Sequence, residues 1–239
     1  MAVAPSYSVS FLSLLRPFYE FIFPPVCFAC NALMERKGSK VCSTCWGSLS
    51  SVALTDPIYL LAVDRLMVQG DLDGLTSLWH FEKGGTLQSI VHALKYDGMT
   101  SLGVELGRKL GERLRAEVPV EKYDGVIPVP LHRAKCRERG FNQSDFIGKG
   151  IQEVTGLPVL QNVLHRKRFT KSQTELNAAE RKMNVSGAFD LHKGFDVSGR
   201  SFVLVDDVIT TGATIEACAA TLKGHDARYV LAASVALAE

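Results

Sequence analysis

Two adjacent carboxylates and a threonine/glycine turn stand together in Asp206-Asp207-Val-Ile-Thr210-Thr211-Gly212-Ala213-Thr214, directly after the apolar run Phe202-Val-Leu-Val205. A short, continuous apolar run predicts a central parallel strand covered on both faces, and its apolar character stops at Asp206. The acids are therefore expected at the carboxyl end of the strand, where open α/β sheets bind ligands. The turn then opens an Ala-rich helix, whose first backbone N–H groups attract an anion by hydrogen bonding and by dipole. Thr210, Thr211 and Thr214 add hydroxyl donors, and Gly212 lets the backbone come close. Carboxylates for hydroxyls beside amides for an anion make a pocket for a sugar phosphate. The alternative is an ordinary strand-to-helix turn in which Asp207 or Thr211 caps the helix. Capping leaves the second acid and two threonines without a task.

Residues 202–214 resemble the phosphoribosyl pyrophosphate (PRPP) motif of type I phosphoribosyltransferases. The resemblance implies that Asp206 and Asp207 accept hydrogen bonds from the ribose 2′ and 3′ hydroxyls. It also implies that Thr210, Thr211, Gly212, Ala213 and Thr214 wrap the 5′-phosphate.

Four of the six cysteines fall in two CxxC knuckles, Cys27-Phe-Ala-Cys30 and Cys42-Ser-Thr-Cys45, with eleven residues between them. Each knuckle aims two thiolates at one point, so two knuckles complete a tetrahedron for Zn²⁺. A four-thiolate site has no open position and is structural. The rival readings are disulfides, a redox pair and an iron–sulfur cluster. A reducing compartment disfavours the first, and two pairs without a surrounding βαβ pattern disfavour the second. Cys218, among alanines, is expected in the core, and Cys136 in a basic loop.

A second set of candidates is cationic. Pro128-Val-Pro-Leu-His-Arg133-Ala-Lys-Cys-Arg137-Glu-Arg139-Gly-Phe-Asn-Gln143 follows a predicted strand. Arginines at a strand's carboxyl edge suit a diphosphate, whose oxygens match guanidinium geometry, which makes Arg133, Arg137 and Arg139 the expected partners. A further basic run, from Arg166 through Arg168 to Gln173, precedes a segment with Arg181, and these residues are candidates for contact with nucleic acid or substrate. The alternative for both runs is a solvated charged surface.

The elements that position these groups follow from periodicity. Strands are predicted at 75–81, 124–129, 187–191, 201–205 and 228–236, and helices at 87–96, 102–114, 143–154, 175–183 and 213–222. Leu102, Leu106, Leu110 and Leu114 share one helical face. This alternation predicts an α/β fold, a doubly wound, mostly parallel sheet over 58–239, behind an amphipathic helix and a small four-cysteine zinc ribbon in 1–57. The boundary is set by the Ser-rich stretch that ends at Asp56-Pro57. At 239 residues and 46% hydrophobic content the chain holds one good-sized core and a small appendage. A net charge of +2 is too mild to demand nucleic acid or membrane. The apolar stretch 11–23 lacks a basic region before it and a cleavage site after it, and it is too short to span a bilayer. It reads as an amphipathic helix packed on the protein, without membrane insertion, and the expected location is cytoplasmic. The histidines, His132 included, show no ligand spacing.

The chain as a whole resembles the ComF family (ComFC and GntX-like proteins). The resemblance rests on the double CxxC, Leu94-Lys-Tyr96, Pro128-Val-Pro-Leu with Arg137-Glu-Arg-Gly-Phe-Asn-Gln143, Arg166/Arg168/Thr170/Gln173/Leu176 with Arg181 and Asn184-Val-Ser-Gly-Ala-Phe189, and the motif at 205–214. It implies a phosphoribosyltransferase-like protein behind a zinc ribbon, binding Mg²⁺ with PRPP. It also implies a part in natural transformation, the handling of incoming single-stranded DNA, with a competence ATPase or helicase as a partner. Two activities compete: phosphoribosyl transfer to an acceptor in nucleotide metabolism, and PRPP binding without transfer alongside DNA contact. A glutamine amidotransferase is not expected, because it needs a glutaminase domain with an amino-terminal cysteine nucleophile, and Cys27 belongs to a knuckle.

Overall fold

The described part of the computed structural model covers residues 22, 24–34, 38–96, 99–131, 133–167 and 187–238, with Tyr96 and Arg133 described by backbone alone. Most of the helix expected at 11–23, the helix expected at 175–183, and Arg168, Gln173 and Arg181 lie outside these residues. From residue 43 the chain runs through α1 (Ser43–Gly47) and α2 (Pro57–Val63), the latter continued by a π-type turn at Asp64–Val68, then β1 (Gly74–His80), α3 (Thr86–Tyr96), α4 (Thr100–Glu117) and β2 (Gly125–Pro128). There follow α5 (Arg133–Arg139), α6 (Gln143–Thr155), β3 (Leu164–Arg166), β4 (Phe189–Leu191), β5 (Ser201–Ile209), α7 (Ala213–Lys223) and β6 (Tyr229–Leu237).

Strands β1, β6, β5 and β2 lie side by side in that order, every pair parallel, and β3 and β4 form a separate antiparallel pair. Residues alternate between the two faces. Phe202 and Leu204 of β5 and Val230 and Ala232 of β6 join one core with Leu66, Ile215, Cys218 and Leu222, while Val203, Val205, Leu231, Ala233 and Val235 join another with Leu94, Leu106 and Ile147. Both faces are covered, which is why the strands read as unbroken apolar runs. The doubly wound parallel sheet is as expected. Among the described residues no helix is long and apolar enough to cross a membrane.

Two elements differ from the sequence reading. The motif strand does not end at Val205. After β2 stops at Pro128, opposite Val205, β6 continues to pair with β5 as far as Ile209 opposite Leu237. The stretch read as a long loop contains α5, because Ala134, Lys135, Arg137 and Glu138 are good helix formers, and Gly140, at φ 78°, follows its end. Cys136 therefore sits on a helix.

Leu102, Leu106, Leu110 and Leu114 are fully buried, as their spacing predicts. The next face of α4 carries Gly103, Gly107 and Gly111, where the backbone of α6 comes into contact. A Cβ on Gly107 would overlap the carbonyl oxygen of Ile147, and one on Gly150 would overlap that of Val104. Neither carbonyl can rotate away, so Gly107→Ala is expected to destabilise by about 3 kcal/mol, at the upper end for overpacking. Gly47→Ala, where a Cβ meets nothing within 4 Å, is expected to be neutral or slightly stabilising. Urea unfolding of the two variants checks the pair.

Candidate functional site

Asp206 and Asp207 follow the last β2–β5 pair, at the point where the sheet opens on one side of β5 and stays closed on the other. A cavity of about 310 Å³ forms there, lined by both acids and by residues 208–215, with Lys95, Lys135, Arg139 and Arg166 among its walls. Gly212 occupies the N-cap position of α7 at φ 73° and ψ −4°, and as a glycine it offers no side-chain cap. The capping role considered for Asp207 or Thr211 is thus not taken up, and the turn presents main-chain amides. A side chain at 212 is excluded twice, by its φ and by Leu66, which a Cβ would strike. From below, Arg65 Nη2 donates to the Thr210 carbonyl at 3.0 Å. Burial lowers the Arg65 pKa and Glu216 opposes the shift.

The two carboxylates have different environments. Asp206 Oδ1 accepts from the Asp207 N–H at 2.8 Å and from Ser144 Oγ at 3.3 Å. Burial, and then the charge of Asp207, push the Asp206 carboxyl up to about 7, against the opposing pull of the Asp207 N–H and Lys95. Asp207 Oδ1 accepts from the Val208 N–H at 2.9 Å, and its Oδ2 lies 2.5 Å from Lys95 Nζ. Arg166, at the end of β3, stacks over the Phe189 ring at 5.4 Å. Its burial lowers the guanidinium pKa, partly restored by Cys218 and Asp206. Acceptors for hydroxyls, amides for one anion and several cations for another thus share one cavity.

The second constellation is the cysteine cluster. The Sγ atoms of Cys27, Cys30, Cys42 and Cys45 all lie within 4.8 Å of one another, with Cys30 and Cys42 at 3.9 Å. Tetrahedral zinc with Zn–S bonds of about 2.3 Å needs S···S edges near ~3.8 Å, so the cluster fits the ion. Backbone N–H groups of Cys42 and Cys45 donate to the sulfurs of Cys27 and Cys42 at 3.3 and 3.4 Å. Burial pushes the Cys27 thiol up, but the N–H groups of Cys42, Cys30 and Ala29 outweigh it and hold it at about 6. Burial and the neighbouring sulfurs push Cys45 far up. Glu105 of α4 holds this unit to the sheet domain: Oε1 accepts from Ser39 Oγ at 2.5 Å and Trp46 Nε1 at 3.3 Å, and Oε2 from the Lys40 N–H at 2.9 Å. Trp46 stacks on Trp79 of β1 with centroids 5.5 Å apart.

Comparison with known proteins finds a domain match around each constellation. A family model described as a phosphoribosyl transferase domain matches residues 146–238, and one described as a double zinc ribbon domain matches residues 18–58. The DNA utilization protein YhgH of Salmonella typhimurium is 33% identical over 147 residues, 60% of this chain and 64% of that protein. Competence protein F of Haemophilus influenzae is 37% identical over 93 residues, 38% of this chain and 41% of that one. Competence protein ComFC of Bacillus subtilis is 23% identical over 207 residues, 82% and 77% of the two chains. Over part of its length the chain is thus similar to competence proteins and to a DNA utilization protein. The match spans less than two thirds, 64%, of the YhgH chain.

The structure brings together most of the residues singled out in the sequence. Asp206, Asp207, Thr210, Thr211, Gly212, Ala213, Thr214, Arg139 and Arg166 share the cavity. Arg137 is exposed on α5 and does not line it, and the side chain of Arg133 is outside the described set. Two cations of the cavity carry no role in the sequence reading. Lys135 is one more charge within the basic run. Lys95 belongs to the last turn of α3, and its only sequence signal is its place in Leu94-Lys-Tyr96.

Proposed function

We propose that this ComF-type chain binds PRPP with Mg²⁺ in the cavity at the end of β5 and serves the handling of incoming single-stranded DNA. One observation carries the first part: two adjacent acids and a glycine-capped turn at the start of α7 face one cavity together with Lys95, Lys135, Arg139 and Arg166. Asp206 and Asp207 accept from the ribose hydroxyls, residues 210–214 hold the 5′-phosphate, and the cations receive the diphosphate. Mg²⁺ bound with the diphosphate supplies further charge neutralisation and takes few protein ligands.

In transfer, the bond from C1′ to the diphosphate oxygen breaks, its electron pair leaves with the diphosphate, and an acceptor supplies the pair for the new bond. The chain's part is to fix the ribose, stabilise the departing charge and exclude water, with no side-chain nucleophile. Binding without transfer is the second reading. The relatives' names, competence and DNA utilization, favour a role with DNA, to which the cations around the cavity are suited.

Calorimetry with Mg-PRPP is expected to show one site per chain, with ribose 5-phosphate at least about tenfold weaker. Lys135→Ala with Arg139→Ala is expected to lower PRPP affinity to that of ribose 5-phosphate. No heat, or PRPP binding indifferent to both cations, would overturn the PRPP reading. Labelled single-stranded DNA titrated at two salt concentrations tests the other part. Salt-steep binding supports it, and no binding at low salt sinks direct contact.

A further inference from the structure

A second, larger cleft lies at the opposite end of the sheet, and the PRPP reading makes no use of it. Its volume is about 770 Å³, and its walls come from the start of β1 (Gly74, Leu75, Thr76), the start of β5 (Ser201), the start of β6 (Tyr229, Leu231) and the chain after α4 (Val118, Pro119, Lys122 and Tyr123). Ser201 precedes Asp206 by five residues of continuous strand, about 16 Å of extended chain, so the two cavities are separate.

We propose that this cleft is a binding site for a nucleoside monophosphate. The first support is the aromatic wall. Tyr59, Tyr123 and Tyr229 all line the cleft, and two of them are fixed by hydrogen bonds, Tyr59 OH to the Leu75 carbonyl at 2.9 Å and Tyr229 OH to the Asp73 carbonyl at 2.7 Å. Tyr123 meets Tyr229 edge to face at 6.0 Å, and the buried Leu75 and Leu231 line the same cleft. Rigid ring faces over an apolar floor suit a planar heteroaromatic body at little conformational cost. Gly74 lets the Leu231 side chain lie directly on the β1 backbone and form that floor, since a Cβ there would meet Leu231 Cδ1 at 2.5 Å.

The second support is the balance of charge. The carboxylates around the cleft are committed within the protein: Glu117 to Arg113 Nε at 2.5 Å and to Thr76 Oγ1 at 3.1 Å, and Asp73 to Lys223 at 2.6 Å and to the Val230 N–H at 2.7 Å. Lys122 and Arg228 line the same cleft, both exposed, and among the described residues neither side chain forms an ion pair. The cleft thus joins an aromatic, apolar interior to an uncompensated cationic edge. That pairing matches an aromatic base linked to a phosphate, with the Arg228 guanidinium placed for the phosphate oxygens. A volume of 770 Å³ is of the size that holds such a ligand.

The test uses AMP as the probe, with adenosine and inorganic phosphate as the two halves of its chemistry. Calorimetry on the full chain saturated with Mg-PRPP is expected to show one AMP site, and the Asp206→Asn, Asp207→Asn double variant is expected to keep it. Adenosine and phosphate alone are each expected to bind at least about tenfold more weakly than AMP. Arg228→Ala, at an exposed position, is expected to lower AMP affinity about tenfold with the melting temperature unchanged, and Tyr123→Leu to lower it similarly. Displacement of AMP by Mg-PRPP, equal AMP affinity in Arg228→Ala, or no AMP heat at all overturns the proposal. Because the double variant removes the upper acids, retained AMP binding with no PRPP binding in the wild type would overturn the PRPP reading alone.

Discussion

Asp206→Asn is expected to raise thermal stability at pH 8 and to weaken Mg-PRPP binding in the same substitution. The carboxyl is raised from the ordinary 3.8 to about 7 by burial and by its neighbour Asp207. Between about pH 4 and 7 the folded protein therefore keeps a proton that the unfolded chain has already released. Stability from this group falls as pH rises through that window and is level above it. Three units correspond to at most about 4 kcal/mol, so the recoverable gain is on the order of a few kcal/mol. Asparagine keeps a carbonyl oxygen to accept from the Asp207 N–H and Ser144 Oγ, and it removes only the charge.

Melts at pH 4.5 and pH 8 check this directly. The difference between the two pH values is expected to shrink in Asp206→Asn, with the variant the more stable at pH 8. PRPP affinity is expected to fall about 100-fold, because an anionic acceptor for two hydroxyls is lost. A variant less stable than wild type at pH 8 would mean that Asp206 is held as a stabilised anion, contrary to this account. The site carries a like-charge pair that folding alone would not select, and such unfavourable arrangements collect where ligands bind.

How far the sequence discloses this site depends on how local each part is. The acids, the turn and the knuckles are short-range patterns whose chemistry is set within a few residues, and the structure gathers the acids and the turn at one cavity and the four thiols in one cluster. What the sequence hides is long-range. Lys95 reaches Asp207 from a helix more than a hundred residues upstream, and Arg65 reaches the Thr210 carbonyl from a turn in a region without clear periodicity. Glu105, which grips the ribbon, is one more polar residue on an amphipathic helix until Ser39 and Trp46 are placed beside it. The end of β5 is hidden because apolarity records burial, whereas strand length is set by backbone pairing, and β6 supplies partners beyond the acids. The glycines of α4 are legible in principle, since a small residue every fourth position marks a close helix contact. The leucine stripe beside them, which marks the core, is the stronger signal and masks it.

The largest effect is expected at the ribbon. Little but metal binding can hold residues 24–46, where Cys27, Val41 and Cys45 are the buried apolar residues among those described. Zinc bound by four thiolates supplies an apparent ~10–16 kcal/mol in small modules, so its removal is expected to melt the ribbon outright. The chain has two tryptophans, and Trp46 of the ribbon stacks on Trp79 of β1 at 5.5 Å, so intrinsic emission reads the docking itself. Titration with a thiol-binding mercurial is expected to release one zinc per chain and to shift the emission with the same stoichiometry. Cys42→Ser is expected to give the shifted spectrum from the start. Glu105→Ala separates docking from metal: emission is expected to move while zinc stays bound, because the carboxylate that accepts from Ser39, Lys40 and Trp46 is gone and the thiolates are untouched. Zinc release with unchanged emission would show that the ribbon keeps its place without metal. The consequence extends to the sheet, because residues 50–52 pair with the outer edge of β1 through Val52 N–H to Leu78 O and His80 N–H to Ser50 O, each at 2.9 Å. If melting of the ribbon frees that segment, β1 becomes a bare edge strand, and the metal-free protein is expected to aggregate where the zinc-bound protein stays dispersed.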